Sequence, residues 1–252
     1  MKIVILGSGS KGNSTFIDTG SKKILIDVGF SFKKIKEKLE LINVHPAEID
    51  YLLITHDHVD HIYGLFTFLK NAKPLLIISE KIYHEYEDKI KYNKIHFIED
   101  EMIFDDLFIK SIPISHDSLD AHGFLIESHN TSIVQITDTG YIHKNNLVYL
   151  NNKNYYLFES NHDTEMLING RYPLHLQKRI LSDKGHMSNE LSSSYLAKLI
   201  GPDTKKIILL HLSEENNDPQ IALDTINESF KQNNINFDNI TCASQNDILE
   251  VI

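Results

Sequence analysis

Cysteine is nearly absent from this chain, positive charge is in deficit, and no apolar run is long. One cysteine, Cys242, stands among 252 residues. A single thiol excludes an internal disulfide framework and any cysteine-rich zinc site, and it suits a reducing, cytoplasmic compartment. Cys242 lies in a strand-like run late in the chain and reads as a small core residue. Lys and Arg total 25 against 35 Asp and Glu, a net charge of −10 with the histidines neutral. That balance argues against a broad nucleic-acid-binding face, though not against a local one. No apolar stretch approaches the ~20 residues of a membrane span. The apolar start of MKIVILGSGS is too short for a signal h-region. A cytoplasmic chain with no membrane segment is the expectation. No low-complexity linker or fixed-period repeat divides the sequence, so a single domain over residues 1–252 is expected. Apolar residues make up 41% and charged residues 24%, enough for a sizeable core.

The densest chemistry lies in YLLITHDHVDHIYG, Tyr51–Gly64. Tyr51–Ile54 reads as a short buried strand. It runs into His56, Asp57, His58, Asp60 and His61. Ionisable groups crowded at the end of a buried strand cost several kcal/mol each to desolvate unless something compensates them. One or two divalent cations would offset that cost. His56 and His58, two apart, can point the same way, while Asp60 and His61 open the next turn and can face a second ion. Imidazole with carboxylate suits zinc, iron or manganese.

The rest of the chain supplies partners. Lys2–Leu6, Ser14–Asp18 and Lys23–Asp27 read as strands. Between the first two, GSGSKGN imitates a dinucleotide fingerprint, and Asp27 falls twenty residues after Gly7. That fingerprint needs a helix after its glycines, and a hairpin follows here. A tight loop whose backbone N–H groups approach an anion or the metal site is the reading that remains. Phe30–Leu39 has the spacing of an amphipathic helix. Apolar runs then end repeatedly in polar groups: Phe108–Ile114 in His116, Ser132–Thr137 in Asp138, Tyr155–Phe158 in Glu159, and Lys206–Leu210 in His211. Ser188 reads as the cap of a helix through Leu199. Arg171, Lys178, Arg179 and Lys184 form the densest basic stretch near these groups and are candidates for backbone phosphate contacts. His162, three residues after Glu159, is a candidate phosphate contact or a structural histidine. His84, His96, His129, His143 and His175 have no ligand-like spacing. Two β-rich blocks with intervening helices point to an α/β four-layer αββα sandwich, two mixed β-sheets flanked by helices.

THDHVDH followed by SHD, TDTG and LLHLS resembles the metallo-β-lactamase fold superfamily. GSGSKGN, ITDTGY, FESNHDTEML, GRYP, RILSDKGHMSNE and HLSEENN together resemble its YycJ/WalJ family of bacterial metallo-hydrolases, over nearly the whole chain. The resemblance implies a two-metal centre. His56, His58 and His116 match the ligands of one ion, and Asp60, His61 and His211 those of the other. Asp138 matches the bridging carboxylate. It implies nuclease activity, 5′-to-3′ exonuclease action on double-stranded DNA. By looser similarity, Glu159 and His186 match a glutamate-supported histidine that contacts the phosphate or protonates the leaving group.

The mechanism expected from these residues is in-line attack on phosphorus by a hydroxide shared between the two ions. Asp60 is both ligand and orienter, and His186, oriented by Glu159, is the general acid. The competing expectation is a small-molecule hydrolase on the same scaffold, cleaving a thioester, lactone or cyclic phosphodiester. No stripe that would specify an oligomer is legible.

Overall fold

The structure is a computed structural model that describes every residue, Met1–Ile252. The chain divides into two compact units. One comprises Met1–Met102, Ser118–Ala121 and Ser244–Ile252, the other Ile103–Asp117 and His122–Ala243.

The first unit begins with strands β1 (Lys2–Gly7), β2 (Ser14–Asp18) and β3 (Lys23–Ile26). Ile3, Val4, Ile5 and Leu6 are all fully buried, so both faces of β1 are covered. β1, β2 and β3 pair antiparallel. Helix α1 (Phe32–Leu41) then crosses over to β4 (Tyr51–Leu53), and the short α2 (Val59–Ile62) and α3 (Leu65–Ala72) lead to β5 (Leu75–Ile78). Helix α4 (Glu80–Ile90) leads to β6 (Ile95–Phe97). From β3 to β6 the pairing is parallel, which is what helical crossovers permit. Ile35 and Leu39 of α1, Phe68 and Leu69 of α3 and Ile82 of α4 pack with Val4, Phe16, Leu25, Leu52 and Leu76 of the sheet.

The second unit's sheet takes β7 (Glu101–Phe104), β8 (Leu107–Pro113), β9 (His122–Ser128) and β10 (Thr131–Ile136). After α5 (Leu147–Leu150) come β11 (Tyr155–Glu159), α6 (Thr164–Asn169), α7 (Leu174–Ile180) and α8 (Asn189–Leu199). Then follow β12 (Lys206–Leu210), α9 (Pro219–Gln232) and β13 (Ile240–Cys242). β8, β9 and β10 pair antiparallel, while β10 through β13 run parallel. Leu196 and Leu199 of α8 and Ile226 and Phe230 of α9 pack with Tyr156, Phe158, Ile207 and Leu209. Strand β14 (Leu249–Glu250) closes the chain against β1 in the first unit.

Each sheet has seven strands, mixed in direction, with helices on it, which is the expected α/β class. The strand–loop–strand after Gly7 is also as expected. Five elements escaped the sequence reading: β6, β7, α5, α6 and α7. β6 is only three residues long, and α6 and α7 are short and mostly exposed, so none carries a full apolar period. β3 stops one residue before the expected Asp27, because Asp27 turns into the left-handed region at φ 60°. Cys242 is half-buried rather than fully in the core, and burial pushes its thiol up to about 12. No helix is long and apolar enough to cross a membrane.

Candidate metal centre

In each sheet the parallel strands end in polar groups at their carboxyl ends, where ligands gather in α/β folds. In the first unit β4 delivers Thr55, His56, Asp57 and His58, and α2 carries Asp60 and His61. His56 and His61 are fully buried, and their rings lie 4.0 Å apart between centroids. The His56 and His58 rings are 4.8 Å apart. Asp27 underlies this group, at 1% exposure. Its carboxylate accepts from Thr55 N and Thr55 Oγ1, each at 2.8 Å, and from His61 Nδ1 at 2.7 Å. His56 Nδ1 lies 3.0 Å from Thr55 Oγ1. Both imidazoles thus have Nδ1 engaged from behind, which fixes the tautomer that leaves the Nε2 lone pair available to a cation.

The glycine loop plays a different part from the one expected. Its N–H groups are spent internally rather than on an anion. Gly9 N donates to Asn13 Oδ1, Lys11 N to Gln245 Oε1, Gly12 N to Gly9 O, and Asn13 N to Asp60 O. The loop's product is the placement of Asn13, whose Nδ2 lies 3.0 Å from His61 Nε2 and 3.3 Å from Asp60 Oδ2. Gly29 makes room for this: a Cβ there would stand 1.7 Å from the Asp60 carbonyl oxygen.

In the second unit β8 leads to His116, whose Nδ1 lies 3.3 Å from the Gly185 carbonyl. Asp138 follows β10, Glu159 ends β11, and His211 follows β12. Asp138, Glu159, His186 and His211 each place a donor atom within 4.8 Å of the others. Glu159 is fully buried. Its Oε1 lies 2.7 Å from His186 Nδ1 and 3.2 Å from His211 Nδ1, and its Oε2 accepts from Thr139 N and Met187 N. Burial by itself would raise the Glu159 carboxyl. The His186 charge and the hydrogen bonds from both histidines outweigh burial and hold it down at about 2. Asp138 Oδ1 is 3.1 Å from His211 Nδ1. Asp27, Asp138 and His211 all hold left-handed φ values, 60°, 60° and 56°. Non-glycine residues there cost about 1–3 kcal/mol each and cluster at functional sites.

The basic stretch is less uniform than its sequence suggests. Arg179 was expected to hold a phosphate. Instead its guanidinium forks onto Asp117, with Nη2 at 2.9 Å from Oδ1, and ties α7 to the loop carrying His116. Arg171, Lys178 and Lys184 are exposed. His162 is 1% exposed, and neither ring nitrogen has a hydrogen-bond partner. Burial pushes its pKa down to about 4, so the ring is neutral near pH 7.

Sequence reasoning missed Asp27, Thr55 and Asn13, and also an asparagine brace behind Glu159. Asn189 and Asn217 form a reciprocal amide pair at 2.9 and 3.0 Å. Asn217 Nδ2 also donates to Ser160 O, Asn161 Nδ2 donates to His211 O, and Ser160 Oγ donates to Asn189 Oδ1. The signal was present as SN and ENN after strand ends and SNE at the start of α8. Nothing in the pattern said that these amides meet.

The donor set suits a divalent cation. It is buried imidazole and carboxylate, and His56, His61, His116 and His211 each have Nδ1 directed to a hydroxyl, carboxylate or carbonyl, as metal-ligating histidines do. A family model described as the metallo-beta-lactamase superfamily matches residues 7–211. The exodeoxyribonuclease WalJ of Streptococcus pneumoniae is 39% identical over 228 residues, 88% of this chain and 85% of that protein. The exodeoxyribonuclease YycJ of Bacillus anthracis is 33% identical over 233 residues, 90% and 88% of the two. The crystal structure of YhfI, a metallo-beta-lactamase fold protein from Bacillus subtilis, superposes with a TM-score of 0.70 at 15% identity, covering 99% of this chain and 98% of that one. The chain belongs to the metallo-beta-lactamase superfamily and, within it, to the family of the WalJ and YycJ proteins.

Proposed function

We propose that this chain is a divalent-metal-dependent phosphodiesterase acting on DNA, a 5′-to-3′ exonuclease on double strands, working as one domain in a reducing cytoplasm. In this reading His56, His58 and His116 would hold one ion and Asp60, His61 and His211 a second, with Asp138 shared between the two. Zinc, manganese and iron all suit the donors. Bound ions would supply Lewis acidity toward the phosphoryl oxygens and bring the pKa of a water toward neutrality.

The chain's own residues supply the rest. Asp60, half-buried at the start of α2, orients the attacking water. His186 holds the proton for the leaving oxygen at Nε2, because its Nδ1 is committed to Glu159. Glu159 is a positioning residue: through Oε1 it aligns the His186 ring toward the leaving oxygen. Arg171, Lys178 and Lys184 are exposed and available for backbone phosphates, with Arg179 holding α7 in place. The observation that carries the reading is Glu159 binding both His186 and His211, which couples an acid to a metal-ligating set. The names of the WalJ and YycJ relatives support DNA as the substrate.

The net charge of −10 favours a competing reading, hydrolysis of a small ester or cyclic phosphodiester. Incubation of the manganese-loaded protein with 5′-labelled duplex DNA separates the two. Stepwise release of labelled nucleotide is expected. Intact DNA together with turnover of a thioester or lactone would overturn the nuclease reading.

A further inference from the structure

A groove of about 460 Å³ in the first unit runs beside Asp60, lined among others by Lys11, Lys34, Phe30, Val59 and Tyr63. Its size falls within the roughly 300–1,000 Å³ of small-ligand sites. Its lining mixes two chemistries. Lys11 is exposed at the tip of the glycine loop, and Lys34 on α1 has its Nζ 4.4 Å from the centroid of the buried Phe30 ring. Val59 and Tyr63, which line the same groove, leave apolar surface in solvent, 69% and 64% exposed. Tyr63 follows Asp60 by three residues and keeps helical φ and ψ, −51° and −41°, so the two share a face of the turn. A large exposed aromatic ring beside a ligand carboxylate serves no core.

Cations and an open aromatic ring in one groove are the two elements that hold a nucleotide: lysine for phosphate, ring for base. We propose that this groove seats the nucleotide next to the one being cut. Tyr63 stacks on its base, and Lys11 and Lys34 hold its flanking phosphates. The inference rests on the nuclease reading and adds a subsite in the first unit, whereas the basic stretch between Arg171 and Lys184 belongs to the second. It also answers the net charge of −10, since only this local wall has to be positive.

The test uses the full-length, metal-loaded chain and 5′-labelled duplex DNA with a short 5′ overhang. Tyr63→Ala should raise KM about five- to tenfold, with Tyr63→Phe restoring it, because the ring and not the hydroxyl does the stacking. Lys11→Gln and Lys34→Gln should each lower the slope of log KM against log salt by about 0.7–0.9, the share of one phosphate contact. Lys33→Gln, on the same helix but 87% exposed and near Glu37, should leave the slope as it was. Thermal melts on each variant check folding, and three separate positions keep the test intact should one fail. If wild type degrades DNA and the three variants keep its KM and salt slope, the groove assignment falls while the nuclease reading stands. If wild type degrades no nucleic acid, both fall.

Discussion

At the scale of single residues, the side chains behind the candidate ligands are what orient them. Asp27 is the clearest case. It is buried in the left-handed region and holds both Thr55 and His61. Asparagine tolerates the same φ, so Asp27→Asn removes the charge without adding backbone strain. Metal affinity should fall about 10–100-fold, read by calorimetric titration of the apo protein, with the circular dichroism spectrum kept. Unchanged affinity would show that Asp27 only folds the loop. His162 makes a second prediction. Its folded pKa of about 4 lies below the unfolded value of about 6.5, so between those values the unfolded chain binds the extra proton. Stability present above pH 6.5 is therefore lost as pH falls toward 4, by about 3 kcal/mol in all. Since neither ring nitrogen has a partner, His162→Phe should flatten that share of the acid limb. Urea melts from pH 4 to 7 measure it, and parallel curves for variant and wild type would refute it.

At the scale of elements, strands were legible and the loops between them were not. The runs KIVILG, KILI, YLLI, LLII and KIILL are apolar throughout because both faces are covered, and no helical period competes with them. The Ser188 cap was equally plain, and its Oγ does accept from Leu191 N. The basic stretch misled because α7 turns Arg179 onto Asp117, a pairing across 62 residues that no local pattern encodes. The asparagine brace was hidden for the same reason. It sets up a contrast between two kinds of stabilisation. Ser188→Ala should cost about 1 kcal/mol, the value of one exposed-end cap. Asn217→Ala takes the acceptor from Asn189 Nδ2 and a donor from the Ser160 carbonyl, both buried, and should cost about 3 kcal/mol. Equilibrium denaturation of the two variants gives the order. Equal losses would mean that water replaces the amide.

At the scale of the whole molecule, metal and fold are linked through mass action. Ions that bind only the native chain stabilise it by about 2.7 kcal/mol at a hundredfold excess over Kd. In a chain of 252 residues that is a shift in melting temperature of roughly 5–10 °C. Chelation should lower the calorimetric Tm by that amount and abolish nucleotide release, and manganese or zinc should restore both. A Tm indifferent to chelator would argue that the donors hold no ion in the native state.

The sequence by itself determined the strands, the α/β class, and the histidine and carboxylate types at strand ends, because apolar period and side-chain chemistry are local properties of a few adjacent residues. Only the tertiary structure decided which groups stand behind those side chains: Asp27 under His61, Glu159 under His186 and His211, Asn217 against Asn189. The physical reason is that a buried hydrogen bond depends on where distant segments meet, and an Asp or Asn in a turn looks the same in sequence whether it faces water or a histidine.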